Sequence, residues 1–319
     1  MIKTRDLGEK ELLARIRPFC SDRLGDDCAV MGATSLAQQM VITTDMLIDG
    51  VHFSDRTTSP EDTGWRAAAA NLSDLAAMGA LPWGLVIAVG LPPDTPVSWL
   101  EGVYCGFKAC LDCYGQGAEI VGGDLVRSPV RTLAVTAFGQ VEKSRLIQRD
   151  TAQVGDLILI TGSHGRSKAG LELLLNPELI AKLNGFSPVS FYQAHQRPIP
   201  RFDVLPLIAQ GQSVSGMDSS DGLADAMLQI SKASKVGAKI YWDAIPIPPG
   251  LELLAGEHLW NWILYGGEDF ELVLTLAAES AQTLCQALPG SAIIGEIILG
   301  DSSDRIAGLA DHRTFQHFS

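Results

Sequence analysis

The sequence is organised around a run of alanines that continues into polar residues, Ala67-Ala68-Ala69-Ala70-Asn71-Leu72-Ser73-Asp74-Leu75-Ala76-Ala77-Met78-Gly79. A segment so rich in alanine and leucine predicts a helix packed inside the protein. Asn71 and Asp74 are three residues apart, so they share one face of that helix. Because an unpaired buried carboxylate is costly, Asp74 needs a basic residue, several hydrogen bonds or a metal ion as its partner. The base in this segment is Arg66, eight residues before Asp74.

Flanking residues predict where this helix begins and ends. Ser59 is suited to cap it, Pro60 fits the first helical position, and Gly79 marks its end. Asp74 then lies near the helix C-terminus, where the helix dipole disfavours a carboxylate by a few tenths to about 1 kcal/mol. Two interpretations stay open at this point. Asp74 either caps a loop or pairs with a distant arginine, or it belongs to a functional site.

Length and charge narrow the class of protein. A chain of 319 residues with 46% hydrophobic and 19% charged residues is long enough for two domains with full cores. A net charge of −13 and a pI near 4.8 argue against an extended basic surface for nucleic acid or acidic lipid. No apolar run approaches the ~20 residues needed to span a membrane, and no signal peptide opens the sequence. Nucleic acid and membrane are therefore not expected as partners.

The cysteines indicate a reducing compartment. Six cysteines show no spacing typical of secreted domains, and there is a single Cys-x-x-Cys, at Cys110 and Cys113, where a zinc site would need a second pair. We expect mostly buried, reduced thiols in a cytoplasmic protein.

Six segments place acidic residues beside glycine or hydroxyl residues at the predicted ends of strands and helices. Each segment alone is compatible with a solvated turn, but clusters of oxygen ligands suit Mg²⁺, which bridges carboxylates to substrate phosphates. No EF-hand loop appears, and no Gly-x-Ser-x-Gly or His-Glu-x-x-His pattern supports a nucleophilic triad or zinc hydrolysis. The residues thus favour Mg²⁺-dependent chemistry on phosphates. The segments are Asp26/Asp27, Asp45, Asp74, Asp124, Asp218/Asp221 and Glu268/Asp269.

Strand and helix patterns predict two domains. Short strands at 40–42, 85–89, 119–121 and 131–141 and helices at 59–79 and 96–114 form the first, and a charged, turn-rich stretch places the boundary near residue 150. In the second, a strand at 156–161 leads into Gly162-Ser163-His164-Gly165, a weak likeness to a phosphate-binding loop. A strand at 213–217 leads into Asp218-Ser219-Ser220-Asp221-Gly222, which puts carboxylates and hydroxyls at the start of a helix.

Taken together, seven motifs resemble thiamine-monophosphate kinase, a family within the aminoimidazole ribonucleotide synthetase-like superfamily. They cover nearly the whole chain in the right order and spacing, which is more specific than any one of them. The motifs are Gly25-Asp26-Asp27-Cys28-Ala29, Thr43-Thr44-Asp45, His52-Phe53, Asn71-Leu72-Ser73-Asp74-Leu75-Ala76-Ala77-Met78-Gly79, Gly122-Gly123-Asp124, Asp218-Ser219-Ser220-Asp221-Gly222 and Gly266-Gly267-Glu268-Asp269.

The resemblance implies a role for each matching residue. Three groups follow from it: ligands for several Mg²⁺ ions, contacts to ATP as co-substrate, and contacts to thiamine monophosphate. The implied metal ligands are Asp27, Thr43, Thr44, Asp45, Asp74, Asp124, Asp218 and Asp221. The implied ATP contacts are Tyr104, Gly123, Asp124, Arg149 and Ser220. The implied substrate contacts are His52, Glu268 and Phe315.

The resemblance also implies the fold and the reaction. It predicts an α+β protein of two aminoimidazole ribonucleotide synthetase-like domains, each a mixed β-sheet packed with helices. Residues 1–149 would bind metal and ATP and pair with a second copy in a homodimer, and residues 150–319 would complete the ATP and substrate sites. The reaction would be direct in-line transfer of the ATP γ-phosphate to thiamine monophosphate, the last step of thiamine diphosphate biosynthesis.

No catalytic base is expected for this transfer. The acceptor is a phosphate with a second pKa near 6, so it is mostly dianionic at neutral pH. Two alternatives remain: a synthetase of the same superfamily that phosphorylates an amide or carbonyl oxygen, and a regulator that binds Mg-ATP without turnover.

Overall fold

The computed structural model describes residues 38–209 and 211–300, together with Leu7, Leu12, Arg15, Arg17–Phe19 and Leu309. These residues divide into two compact units, one from Met1–Leu75 and Ala80–Lys143 and the other from Ala76–Gly79 and Ser144–Ser319. The predicted boundary falls slightly later, between residues 149 and 150. Two predicted site residues, Asp27 and Phe315, lie outside the described residues. Among the helices described, none combines the length and the apolar character that crossing a membrane would require.

The first unit contains a mixed four-stranded sheet in the order β1-β4-β2-β3. Strands β1 and β4 and strands β2 and β4 pair antiparallel, whereas β2 and β3 are parallel. Strands β1 and β3 are the two edge strands, so residues on them lie at opposite edges of the sheet. The strands are β1 (Gln38–Ile48), β2 (Leu81–Leu91), β3 (Glu119–Arg127) and β4 (Thr132–Glu142).

Two long helices complete this unit, α1 (Pro60–Ala77) and α2 (Val97–Tyr114). Their backbones approach so closely that a Cβ atom at Gly64 would lie 1.9 Å from the carbonyl oxygen of Val103. A Cβ atom at Gly106 would lie equally close to the carbonyl oxygen of Glu61. Since real side chains do not make such contacts, glycine at both positions is what allows the helices to cross here.

The second unit contains a five-stranded sheet in the order β6-β8-β5-β9-β7. Its named strands pair antiparallel, and a parallel bridge joins Gln148 to Ser215 on β6. The strands are β5 (Leu157–Ile160), β6 (Val214–Asp218), β7 (Gly237–Ile240), β8 (Leu272–Leu276) and β9 (Ala292–Ile298). The helices are α3 (Arg166–Leu175), α4 (Val189–Gln196), α5 (Leu223–Ser234), α6 (Leu251–Ala255), α7 (Leu259–Tyr265) and α8 (Ala278–Ala287). The fold is therefore the predicted α+β architecture with a mixed sheet in each domain.

The helix at the centre of the sequence analysis is confirmed in detail. The helix α1 begins at Pro60, and Ser59 Oγ accepts a hydrogen bond from the Asp62 backbone N–H at 3.1 Å. Gly79 follows the helix with a left-handed φ of 73°. The sequence thus predicted both ends of α1 correctly.

The strand ends were predicted less well. Thr43-Thr44-Asp45 and Gly122-Gly123-Asp124 were expected to follow short strands, but both lie inside longer ones, β1 and β3. Antiparallel pairing explains the first case, since β4 pairs with β1 along the whole of Gln38–Ile48 and satisfies polar segments as readily as apolar ones. Residues in a strand alternate between faces, so this difference changes where the predicted ligands point.

A buried ion pair fixes the turn after β5. Glu271, just before β8, accepts hydrogen bonds from Arg201 Nη1 and, at 2.5 Å, from Thr161 Oγ1. Arg201 also forms a bidentate salt bridge with Asp203, in which both hydrogen bonds are 2.9 Å long. Burial raises the pKa of Glu271, although Arg201 and Thr161 act in the opposite direction. A Cβ atom at Gly162 would lie 2.2 Å from the Glu271 carboxylate, so the buried acid requires glycine at that position.

The same turn contains a buried histidine, His164. Its Nε2 atom lies 3.0 Å from Ser219 Oγ, and both side chains are inaccessible to solvent. Burial lowers the pKa of His164 to about 3, a shift that the nearby backbone of Gly162 only partly opposes. His164 is therefore neutral at physiological pH and connects the turn after β5 to the loop after β6.

A pH-dependent stability follows from His164. Its pKa is lower in the folded state than the usual 6.5, so the unfolded chain binds a proton that the folded chain excludes as the pH falls below about 6.5. Between pH 7 and pH 5 we expect this residue alone to remove about 2 kcal/mol from the free energy of unfolding. Urea unfolding of the wild type and of His164→Asn at both pH values measures this contribution. The buried acids contribute equally to both proteins, so the difference between the two pH dependences is due to His164. An equal pH dependence in the two would contradict the expectation.

Candidate functional site

Helix α1 and strand β1 meet through the polar face of the alanine-rich stretch. Thr43 Oγ1 donates a hydrogen bond to Asp74 Oδ2 at 2.5 Å. The backbone N–H of Asp45 donates to Asn71 Oδ1 at 3.2 Å, and Asn71 is fully buried. Thr43 and Asp45 lie on one face of β1, since alternate residues of a strand share a face. The structure therefore brings Thr43 and Asp45 to the helix face that carries Asp74.

Arg66, the base nearest to Asp74 in the sequence, contacts the loop after β1. Its guanidinium is buried and donates from Nη2 to the backbone oxygen of His52 at 3.3 Å. Arg66 thus holds the loop after β1 in place.

Thr44 and Asp124 lie on the opposite face of the same sheet. Thr44 Oγ1 accepts a hydrogen bond from Thr136 Oγ1 at 3.2 Å and donates to the Val135 backbone oxygen. Asp124 on β3 is exposed, and its Oδ1 accepts a hydrogen bond from the backbone N–H of Leu125. Because β1 and β3 are separated by two strands, Thr44 and Asp124 are three strand spacings apart, about 14 Å measured across the sheet, and Asp124 is also offset by two residues along β3. Among the described residues of the first unit, the predicted metal ligands therefore lie on both faces of the sheet.

Position 123 on β3 is exposed, and it is occupied by glycine for a steric reason. A Cβ atom there would lie 2.3 Å from the carbonyl oxygen of Ile87 on β2. Glycine is thus required at the position that the resemblance assigns to ATP, next to the exposed carboxylate of Asp124.

His52 lies in a loop that is held from several sides. Its Nδ1 accepts a hydrogen bond from the backbone N–H of Ile48 at 3.1 Å. Arg131 binds both carboxylate oxygens of Asp55 at 2.8 and 3.0 Å, binds Asp49 through Nε at 2.7 Å, and lies 4.9 Å from the centre of the Trp99 ring. These charge-assisted contacts fix residues on both sides of His52.

The loop after β6 carries the second group of predicted ligands. Asp218 is buried, and its Oδ1 accepts hydrogen bonds from Ser220 Oγ at 2.9 Å and from the Ser220 backbone N–H at 3.4 Å. Asp221 is exposed at the turn that precedes α5. Gly222 has a φ of 105°, and a Cβ atom there would lie 2.7 Å from the carbonyl oxygen of Leu264, so only glycine fits.

Arg149 lies on the surface beside α5. Its Nη1 donates to Gln229 Oε1 at 2.6 Å. Gln229 is six residues into α5 from Leu223, about 9 Å along the helix axis. The structure thus places Arg149 and Ser220 in one unit but at different levels of the same helix.

The glycine-rich segment before β8 contacts the loop after β6. The backbone N–H of Glu268 donates to the Ser220 oxygen at 2.7 Å. A Cβ atom at Gly267 would lie 2.8 Å from that same oxygen. Glu268, a predicted substrate contact, is therefore joined directly to Ser220, a predicted ATP contact.

Asp269 occupies the start of α3. Its carboxylate accepts hydrogen bonds from the backbone N–H groups of Gly165 at 2.6 Å and Ser167 at 2.8 Å. Burial raises the pKa of Asp269 to about 7, and the two backbone bonds oppose that rise. The turn Gly162-Ser163-His164-Gly165, whose likeness to a phosphate loop was weak in sequence, thus binds a carboxylate of this same chain.

Tyr104 is buried in the first unit, with 3% of its surface exposed. Its ring packs against Phe19 and Phe107, with centroids 6.4 and 6.0 Å away. Its assignment to ATP stays a prediction.

Several positioning residues were not found from the sequence. His164 and Ser219 stand within quoted motifs but were given no role there, Arg131 stands in no motif, and only three-dimensional contacts reveal what the three residues bind. Asp269 had a signal, because it stands within the quoted Gly266-Gly267-Glu268-Asp269 motif, but sequence reasoning gave it no separate role.

The oxygen-only composition of both clusters suits a hard cation such as Mg²⁺. Within residues 38–209 and 211–300, however, no three His, Cys, Asp or Glu side chains converge as a ready metal site. Thr43, Asp45 and Asp74 in the first unit and Asp218, Ser220 and Asp221 in the second nevertheless present the ligand types that Mg²⁺ prefers.

Comparisons with known proteins agree with these motifs. Residues 25–141 match the model of the AIR synthase related protein N-terminal domain, and residues 153–307 match that of the C-terminal domain. The thiamine-monophosphate kinase of Synechococcus elongatus is 47% identical over 98% of this chain and 97% of its own length.

Solved structures are similar along the same length. The crystal structure of thiamine-monophosphate kinase from Stenotrophomonas maltophilia K279a has a TM-score of 0.77 at 33% identity, covering 94% of this chain and 96% of that one. The structure of AaThiL complexed with AMPPCP and TMP has a TM-score of 0.78 at 31% identity, covering 100% and 99%. With two matching domain models and a relative of this identity over almost its whole length, the chain belongs to the thiamine-monophosphate kinase family.

Proposed function

We propose that this protein transfers the γ-phosphate of ATP to thiamine monophosphate, giving ADP and thiamine diphosphate, in the last step of thiamine diphosphate synthesis. The observation that carries this proposal is the 47% identity with a thiamine-monophosphate kinase over 98% of the chain. A relative that aligns with the whole chain binds AMPPCP and TMP together, which supports the same pair of substrates here.

The transfer is a single displacement between two phosphates. An oxygen of the substrate phosphate forms a bond to the γ-phosphorus, the bond from that phosphorus to the β–γ bridging oxygen breaks, and ADP leaves with those electrons. The acceptor is already dianionic at neutral pH, so no residue has to remove a proton. The Ser219–His164 pair does not argue against this, because both side chains are buried and burial lowers the pKa of His164 to about 3, which makes its imidazole a poor base.

Mg²⁺ would neutralise the converging phosphates, which is necessary on a chain of net charge −13. The residues proposed to hold several such ions all offer oxygen atoms. They are Asp27, Thr43, Thr44, Asp45, Asp74, Asp124, Asp218 and Asp221.

The remaining assignments follow the two substrates. We propose that Gly123, Asp124, Arg149, Ser220 and Tyr104 contact ATP. We propose that His52, Glu268 and Phe315 contact thiamine monophosphate, with the Glu268 carboxylate meeting the positively charged thiazolium ring.

A homodimer through the first unit is also part of this proposal. The face of β1 that points away from α1 carries Met40, Ile42 and Met46, each more than half exposed. A long edge strand with an apolar face favours pairing with another sheet, and a second copy would cover it.

We also propose that the protein acts in the cytoplasm, because its six cysteines show no spacing typical of secreted domains. The four cysteines in the described part of the chain are free thiols, but only Cys110 among them is buried, so the expectation of mostly buried thiols is wrong for these residues.

Product analysis tests the reaction itself. Protein, Mg-ATP and thiamine monophosphate should yield ADP and thiamine diphosphate in equal amounts, resolved by chromatography. We expect no transfer without Mg²⁺ and none to free thiamine, which lacks the phosphate acceptor. Consumption of ATP only with a different acceptor would contradict the substrate and would favour the synthetase alternative.

Asp74→Asn tests the metal ligands. Asparagine keeps an acceptor for Thr43 Oγ1 but loses the charge, so we expect turnover to fall at least about 100-fold with an unchanged melting temperature, since residues that only orient metal ligands already cost 10–100-fold. Asp45→Asn should behave likewise. Asp112→Asn, an exposed acid paired with Lys108 on α2, is the control and should retain wild-type turnover. Near-normal activity of Asp74→Asn would exclude the assignment.

Ile42→Asp tests the proposed dimer face. A charge placed on that apolar surface should convert a dimer to a monomer in sedimentation velocity experiments. Val154→Asp is a matched control, because Val154 is also β-branched and, like Ile42, 57% exposed, but lies in the second unit. Dissociation of both variants, or of neither, would contradict the proposal that this face of β1 forms the dimer interface.

A further inference from the structure

Three segments of the second unit meet at one buried histidine, His195 on α4. Its Nδ1 atom lies 3.2 Å from Ser167 Oγ and 3.8 Å from Glu268 Oε2. The histidine is almost fully buried, whereas the Glu268 side chain is 34% exposed. The imidazole therefore stands behind the Glu268 carboxylate, on its protein side.

Close packing of two helices fixes the position of His195. A Cβ atom at Gly170 on α3 would lie 2.1 Å from the Phe191 backbone oxygen and 2.9 Å from His195 Cβ. The two helices thus touch backbone to backbone, which leaves little freedom for the histidine ring. Glycine at position 170 is what lets α4 approach this closely.

Ser167 is held from the other side. Its backbone N–H donates to Asp269 Oδ1 at 2.8 Å, and Asp269 directly follows Glu268. The hydrogen bond between Ser167 and Asp269 thus ties the hydroxyl that contacts His195 to the segment that carries the Glu268 carboxylate.

The backbone at Glu268 is itself unusual. Glu268 has a φ of 58° and Phe270 a φ of 52°, and neither is glycine. Side-chain-bearing residues seldom adopt this left-handed conformation, and it persists where the surroundings require it, often at functional sites. A conformation enforced at this cost directs the Glu268 side chain to one place.

We propose that His195 is a positioning residue that holds the Glu268 carboxylate where it meets the positively charged ring of the substrate. This inference rests on the function proposed above. In this arrangement Nδ1 carries a proton and donates a hydrogen bond to Ser167 Oγ. The positive end of the same N–H dipole also faces Glu268. A carboxylate fixed in advance binds a cationic heterocycle without losing side-chain freedom at the moment of binding.

Substitutions of His195 separate positioning from packing. His195→Leu removes the N–H group, so we expect the KM for thiamine monophosphate to rise about tenfold, the effect typical of orienting groups, with the KM for ATP unchanged. His195→Asn keeps an amide N–H near the position of Nδ1 and should restore the KM to within about threefold. Calorimetric titration with thiamine monophosphate should show the same order of affinities without turnover.

Phe191→Leu is the matched control for packing. Phe191 is buried one turn earlier on α4, in the apolar core of the second unit, so its variant should melt at a lower temperature with both KM values unchanged. If His195→Leu also changed only the melting temperature, His195 would be a packing residue and the proposal would be wrong.

Glu268→Gln completes the test. If His195 acts through Glu268, adding His195→Leu to Glu268→Gln should change the KM for thiamine monophosphate less than twofold further. A full additional tenfold change would show that His195 acts independently and would overturn the inference alone. No effect of Glu268→Gln would overturn the substrate contact assigned to Glu268 and the inference with it. A wild type that neither binds nor phosphorylates thiamine monophosphate would overturn the proposed function as a whole.

Discussion

The contact between the polar face of α1 and the open edge of β1 is the constraint on which the first unit depends. An alanine-rich helix slides easily along a sheet, because its small side chains define few unique packing positions. Asn71 removes that freedom by accepting the Asp45 backbone N–H, and Asp74 does so by accepting the Thr43 hydroxyl. Each bond joins a polar group of the strand to one of the helix, so a shift of the helix along the strand would break both bonds. The helix can therefore occupy one position along the strand.

The second unit solves a similar problem with buried acids. Glu271 neutralises Arg201, and Asp269 caps α3, so two neighbouring residues of one segment fix two turns of the chain. The two residues on either side of Asp269, Glu268 and Phe270, have a strained backbone. Removing one partner of a buried ion pair is strongly destabilising, so this segment tolerates few substitutions that would relax it. Rigidity at the candidate site is thus a result of charge burial nearby.

Sequence reasoning was accurate where local chemistry decides the structure. The ends of α1 follow from Ser59, Pro60 and Gly79, all of which act on their own backbone. It failed where the partner is distant in sequence. Nothing near Thr43 predicts that β4 extends the strand through it, and nothing near His195 predicts that Gly170 brings α4 against α3. The candidate site shows the same division: motifs named its candidate acidic residues, which stay predictions, whereas the contacts of Arg131 with Asp49 and Asp55 and of His164 with Ser219 became visible only in the structure.

Asp269 has a consequence for how this fold handles nucleotides. The start of a helix attracts anions, and in a protein that handles ATP every such helix end competes for phosphate. Here one of them is filled by the Asp269 side chain of the same chain, whose effective concentration is in the millimolar range or above. Free phosphate would have to exceed that concentration to displace it. The protein thus fills this helix end with one of its own side chains, and because the pKa of Asp269 is raised to about 7, the charge of that occupant changes near neutral pH.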